Sequence, residues 1–392
     1  MTTKIKNGKP KKKANGEGSL YYSKALQKWV GQYTTSTGRK TITQKKNENV
    51  SDFKKRFNKC ITQINDGTYI ERSKITFINI LKEYVENKYT TNQVSASTYK
   101  RDLYILREIE KTCTYITDMP IQRITVAHIK KVLPNMIVYS NSIIEKMYRF
   151  FNKAFKIALS ERLITFNPME NEEIKKPKSI KQTKRVEALT VQQHKKLLEV
   201  LLSKKVNKKY ADIILLQLYT GMRIGEVLAL SKDCINIKES KITVYRTLTR
   251  DINDRTIIGK TTKTVTGSRT FYINESALNL CKKILTSKVT NINNLLFFDY
   301  SKNNIITPSQ VNCYLKRLNE KYKIADNIHT HMLRHTFATR FIEAGGNPKV
   351  LQVILGHKKI EITLNTYASV LNDFSFEETN KYSNYLQKVG IM

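Results

Sequence analysis

Two arginines, two histidines, a lysine and a tyrosine in the second half of the chain are types that together can act on a phosphodiester. Arg223 stands in Thr220-Gly-Met-Arg223-Ile-Gly-Glu226, and Lys263 follows Thr262. His331 and Arg334 stand in His331-Met-Leu-Arg334-His335, and His357 closes Leu355-Gly-His357. Tyr367 lies ten residues further on. A phosphodiester carries one negative charge and its five-coordinate transition state carries more, so fixed donors on the non-bridging oxygens stabilise it. Arg223 and Arg334 offer planar forks for such oxygens. Arg223 follows Thr220-Gly221 near an expected helix start, where backbone N–H groups also favour an anion. His331 and Arg334 share one face if their stretch is helical. His331 and His357 can hydrogen-bond the same phosphate or move a proton. Lys263 is the candidate acid for a leaving oxygen, because neighbouring guanidinium groups disfavour its charge and ease proton donation. Tyr367 is the candidate nucleophile. A free phenol ionises near pH 10, so nearby cations must favour its phenolate.

Other readings of these residues stay open. Lys260 competes with Lys263. Glu226 either orients Arg223 or is an ordinary helical ion-pair partner. His331 and His335, four apart, could face a zinc ion from one helix. No third ligand follows at a suitable spacing and no carboxylate cluster invites magnesium, so neither metal nor cofactor is expected. His335 is read as a support for its neighbours. Four of the six histidines fall between residues 329 and 357, a clustering that a bland surface reading leaves unexplained. The chain has 21 tyrosines, so Tyr367 gains weight only from its place after Leu355-Gly-His357.

In their order, these fragments resemble the tyrosine recombinases, also called the phage integrase family. Thr220 to Glu226 is similar to the family's first arginine box, His331 to His335 to its H-x-L-R-H box, and Leu355 to His357 to its third box. Lys263-Thr264, followed by Arg269-Thr270, resembles the catalytic-lysine hairpin, which favours Lys263 over Lys260. Each fragment is short; the ordered set is specific. The chain looks most like the integrases of conjugative transposons and temperate phages. The motifs cover the C-terminal half, and the rest is similar in architecture alone. The resemblance implies that Tyr367 forms a 3′-phosphotyrosyl bond, conserving the energy for rejoining. It implies site-specific integration and excision of a mobile element at double-stranded DNA attachment sites. It also implies four subunits assembled on two duplexes, with the tail after Tyr367 packed on a neighbour; packing within its own subunit is the alternative. Similar systems often add a small excision factor and a host DNA-bending protein. Two rivals remain: a type IB topoisomerase or telomere resolvase, and a DNA-binding regulator without catalysis. Relaxation of arbitrary supercoiled DNA would mark the first, and binding without cleavage the second.

The elements that must position these residues follow from composition and periodicity. The chain has 392 residues, 40% of them hydrophobic, which suggests two or three domains with ordinary cores. Lys and Arg number 69 against 33 Asp and Glu, a net charge of +36. That excess exceeds the needs of solubility and fits a polyanionic partner, whose counterions each bound cation releases. The cysteines, Cys60, Cys113, Cys234, Cys281 and Cys313, are odd in number and form no C-x-x-C pair. They fit a reducing cytosol rather than a disulfide or zinc framework. No signal peptide and no membrane-length apolar run is present, so a cytoplasmic bacterial or phage protein that avoids the membrane is expected.

The expected fold class is α+β, mainly α. Residues 1–70 carry 16 basic and 4 acidic side chains and read as an arm-type DNA-binding domain. It has a basic tail (Lys11, Lys12, Lys13), three strands (GSLYYSK, KWVGQYTTS, RKTITQK), and a helix with Phe53, Phe57, Cys60, Ile61 and Ile64 on one face. Arg39 and Lys40 join its DNA-binding set, while Trp29 and Tyr33 are expected in the sheet–helix core. Residues 71–173 read as a helical, core-binding (SAM-like) domain. Its stripes are Ile78, Leu81, Tyr84, Val85; Leu103, Leu106; and Met147, Phe151, Ala154, Phe155, Ala158. Residues 174–186 are a basic linker whose Lys175, Lys176, Lys178, Lys181, Lys184 and Arg185 are expected on the duplex backbone. Residues 187–392 are the catalytic domain. It opens with a capping box at Thr190-Val-Gln-Gln193 and contains a small antiparallel sheet from residues 241–250 and 269–274.

Overall fold

The computed structural model describes residues 18–35, 38–181, 187–260, 268–286, 291, 293–361, 363–364 and 386–388. Lys11, Lys12, Lys13, Lys184, Arg185, Lys263 and Tyr367 lie outside the described residues. The chain divides into two compact units. One holds residues 1–94 and 101–182, the other residues 95–100 and 183–392. Among the described residues no helix is long and apolar enough to cross a membrane.

The first unit begins with an antiparallel sheet of order β1 (Ser19–Ser23), β2 (Lys28–Thr35), β3 (Gly38–Thr43), followed by helix α1 (Val50–Asn65). Asn49 caps α1 by accepting from the Asp52 amide, which satisfies one of the orphan donors of the first turn. Strand alternation turns Tyr33 inward, where it is buried with Phe53 and Phe57. Its hydroxyl meets that of Tyr69 at 2.7 Å. Trp29 is only half-buried, edge-on to Tyr22, with the Lys54 ammonium 5.4 Å from its ring centre. Arg39 is exposed, and Lys40 pairs with Glu71.

The helices that follow are α2 (Phe77–Thr90), α3 (Ala96–Thr112), α4 (Thr114–Thr117), α5 (Val126–Val132) and α6 (Asn141–Ser160). Met147, Phe151, Ala154, Phe155 and Ala158 of α6 are all buried, with Phe77 set edge-on against Phe151 at 4.8 Å. Residues at spacings of three and four build this seam, because they fall on one helical face. On α3 the buried face is Asp102, Ile105, Leu106 and Ile109, and Leu103 is half-buried. Asp102 is tolerated there because the Lys88 ammonium sits 2.7 Å away. Lys175, Lys176, Lys178 and Lys181 are exposed, Lys176 in an ion pair with Glu145.

The second unit comprises α7 (Val191–Leu202), α8 (Lys208–Thr220), α9 (Ile224–Leu228), β4 (Ile235–Asn236), β5 (Lys241–Val244), β6 (Arg246–Arg250), β7 (Thr256–Lys260), β8 (Arg269–Tyr272), α10 (Glu275–Leu285), β9 (Phe298–Asp299), β10 (Asn304–Ile305), α11 (Pro308–Tyr322), α12 (Thr330–Glu343) and α13 (Pro348–Leu355). The capping box at the start of α7 is present, with Thr190 and Gln193 each accepting the other's amide. Helix α8 is buried nearly all round, from Ala211 through Leu218. A helix without a polar face can only sit in the centre of a domain. The stretch 241–250 is not one strand. It breaks at Tyr245, whose hydroxyl donates to Asp233. β5 then lies between β4 and β8, while β6 pairs with β7 in a separate two-stranded sheet.

Candidate active site

Arg223 occupies the N-cap of α9, immediately after the turn that ends α8. Gly221 makes that turn with φ +64°, and a Cβ on it would lie 2.2 Å from the Phe337 ring. Only glycine fits both demands. Arg334 projects from α12 and is 4% exposed. Its Nη1 donates to the Gly221 carbonyl at 3.0 Å and its Nη2 to the Leu355 carbonyl at 2.7 Å. The side chain of Arg223 is 47% exposed, and its Nη2 donates to the Gly356 carbonyl at 3.1 Å. Both guanidinium groups therefore grip consecutive carbonyls of the turn that carries His357.

His357 sits 3.0 Å from Arg334 Nη2 through Nε2 and 2.9 Å from Thr363 Oγ1 through Nδ1. His331 is exposed at the start of α12, and its Nε2 lies 3.2 Å from Nε2 of His335, one turn on. Partial desolvation of its ring against the protein, followed by the charges of Arg334, His329 and Arg223, lowers the His331 pKa. Burial and the neighbouring His331 hold His335 down at about 4. Burial and then Arg334, Arg223 and Arg269 hold His357 at about 4. Three neutral imidazoles beside two fixed cations make an electropositive pocket with proton-accepting nitrogens. Such a pocket suits a phosphate group. Among the described residues no three His, Cys, Asp or Glu side chains converge in a way that could hold a metal.

Glu226 is the buried carboxylate of the site, with its side chain 3% exposed. It accepts from the Arg223 amide at 3.0 Å and from Arg223 Nη1 at 2.9 Å. Burial pushes its pKa up, yet the hydrogen bond and charge of Arg269, joined by Arg223, outweigh that and keep it below the ordinary value. It therefore stays ionised and orients Arg223.

The site thus brings Arg223, Glu226, His331, Arg334, His335 and His357 together. Lys263 and Tyr367 lie outside the described residues. Lys260 ends β7 opposite Arg246. Two further residues join that carried no assigned role in the sequence. Arg269 alternates with buried Phe271 on the inward face of β8, and an inward charge needs a partner; that was its signal. Thr363 had none.

Residues 187–373 match the sequence model of the phage integrase family. The chain is 30% identical to the transposase of transposon Tn916 from Enterococcus faecalis over 268 residues, 64% of each chain. It thus spans a little under two thirds of that relative's length. It is 24% identical to the integrase of Staphylococcus phage L54a over 347 residues, 81% of this chain and 96% of the relative. The fold of the chain matches that of the Tn1549 transposon integrase, solved with circular intermediate DNA. The TM-score is 0.66 at 24% identity, covering 79% of this chain and 100% of that one. A λ integrase tetramer bound to a Holliday junction matches with TM-score 0.54 at 16% identity, covering 88% and 94%.

Proposed function

We propose that the chain is a site-specific DNA recombinase, an integrase that cleaves and rejoins DNA to move a mobile genetic element. The observation that carries this reading is the grip of Arg223 and Arg334 on the consecutive carbonyls of Gly356 and Leu355, which draws both guanidinium groups to the turn that carries His357. The Tyr367 hydroxyl gives its proton to the neutral imidazole of His331, and its oxygen attacks the scissile phosphorus. The bond to the 5′ oxygen breaks, and Lys263 gives that oxygen its proton. A 3′-phosphotyrosyl bond remains. Arg223, Arg334, His331 and His357 hold the non-bridging oxygens, where charge grows in the transition state. Attack on the phosphotyrosine by another strand's 5′ hydroxyl reverses the step and rejoins the DNA.

The relatives support the biological setting: a conjugative-transposon transposase, a phage integrase, and a λ integrase solved as a tetramer on a Holliday junction. By analogy the chain works as a homotetramer on two duplex attachment sites in the bacterial cytoplasm. Residues 1–70 bind arm-type sites, residues 71–173 and the linker 174–186 grip the core site, and residues 187–392 cleave. The tail after Tyr367 docks on a neighbouring subunit, and an excision factor and a host DNA-bending protein set direction.

A nicked suicide duplex spanning an end of the element tests the chemistry. The unaltered chain leaves a covalent protein–DNA adduct, and Tyr367→Phe binds the duplex but leaves none. An adduct that persists in Tyr367→Phe removes Tyr367 from the mechanism.

A further inference from the structure

The Arg269 guanidinium is bonded within the protein through all three of its nitrogens. Its side chain is only 10% exposed. Nη1 and Nη2 donate to the two oxygens of Glu226 at 3.0 and 2.6 Å, and Nε donates to the Ile354 carbonyl at 2.9 Å. Three of its five N–H groups are thus held by the protein. Gly356 packs against it so closely that a Cβ there would lie 2.9 Å from Arg269 Cζ.

Its partners are the groups that aim the pocket. Glu226 holds the amide and Nη1 of Arg223. Ile354 lies in the last turn of α13, two residues before Gly356, whose carbonyl takes Arg223 Nη2. Arg269 also opens β8. One side chain therefore ties together the arginine of the first box, the turn of the third, and the start of β8.

We propose that Arg269 is a positioning residue for strand cleavage: through Glu226 and the α13 turn it fixes where the Arg223 fork meets the scissile phosphate. The proposal rests on the recombinase reading above. Without Arg269, Glu226 would be a buried carboxylate with Arg223 as its remaining cationic partner. The Arg223 fork would then turn inward to neutralise it and leave the phosphate. A bidentate carboxylate contact needs the planar fork, which lysine lacks. Arg269→Lys therefore keeps the charge and loses the aim.

The test is single-turnover cleavage of the nicked suicide duplex by the full chain, with duplex affinity and melting temperature measured alongside. A shift of about 1 Å in a catalytic group can cost on the order of 100-fold in rate. Arg269→Lys is expected to slow cleavage by roughly that factor while duplex affinity stays within about threefold. In an Arg223→Ala background the same change should add little, because residues acting as a unit are non-additive. A duplex with a methylphosphonate at the scissile position has lost the charge that Arg223 neutralises. On it the Arg269→Lys defect should shrink. Full multiplicative loss in the Arg223→Ala background, an undiminished defect on the methylphosphonate, or unfolding of Arg269→Lys overturns the proposal, each pointing to a role in stability alone. Failure of the unaltered chain to form any adduct on the element's ends overturns the recombinase reading first, and this inference with it.

Discussion

Arg334 Nη2 donates to His357 Nε2 at 3.0 Å, and that contact decides where the histidine keeps its proton. A guanidinium has no acceptor, so Nε2 must present its lone pair. The proton then sits on Nδ1 and is given to Thr363 Oγ1. The ring is neutral, in agreement with its depressed pKa of about 4.

Stability should therefore fall on the acid side of neutrality. His335 and His357 are held at about 4 in the folded chain, against about 6.5 unfolded. Between those values the unfolded chain binds more protons, so stability rises with pH there and is complete above the unfolded value. Denaturant melts from pH 4 to 8 should show a loss that begins below about 6.5. His357→Gln and His335→Gln should each flatten it.

Duplex binding should act in the opposite sense on the same groups. A phosphate in the pocket favours protonated imidazole. Calorimetry near pH 6 in buffers of different ionisation enthalpy should show proton uptake on binding. His357→Gln should reduce that uptake, and equal uptake would remove His357 from the phosphate.

Removing the Glu226 carboxylate leaves two guanidinium groups facing each other, one of them buried. Breaking a buried pair in this way costs about 3–5 kcal/mol. Glu226→Ala should show that loss in denaturant melts, along with slowed cleavage. A cost below about 1 kcal/mol, the range of exposed pairs, would mean that the pair is solvated.

The turn at Gly221 predicts a steric penalty. Gly221→Ala puts a Cβ in a left-handed conformation and into the Phe337 ring. Left-handed backbone costs about 1–2 kcal/mol, and overpacking about 1–3 kcal/mol more. Pairing it with Phe337→Leu should recover the second part and leave the first.

The basic stretch predicts a salt effect. Lys175, Lys178 and Lys181 are exposed. If each meets a phosphate, changing one to Ala should lower the slope of log affinity against log salt by about 1. Unchanged slopes would leave these lysines solvated.

What the sequence determined by itself was local or categorical. Capping residues such as Thr190, the seam of Met147, Phe151 and Phe155, and the order of the Arg, His-x-x-Arg and His boxes are all written within one or two helical turns. There the chain's own geometry sets which side chains share a face. The net charge of +36 pointed toward a polyanionic partner as an expectation, without any structure. Contacts between distant segments stayed invisible. Arg223 meets the Gly356 carbonyl across 133 positions, and Arg269 meets Glu226 across 43. Periodicity reports burial and facing but names no partner, so Arg269 could be marked as an inward charge and no more. The break at Tyr245, the tautomer of His357 and the ionised state of Glu226 likewise depend on neighbours brought in from elsewhere in the chain. Tertiary packing decided them, because hydrogen-bond partners and local dielectric, rather than residue type, set the direction of a strand and the place of a proton.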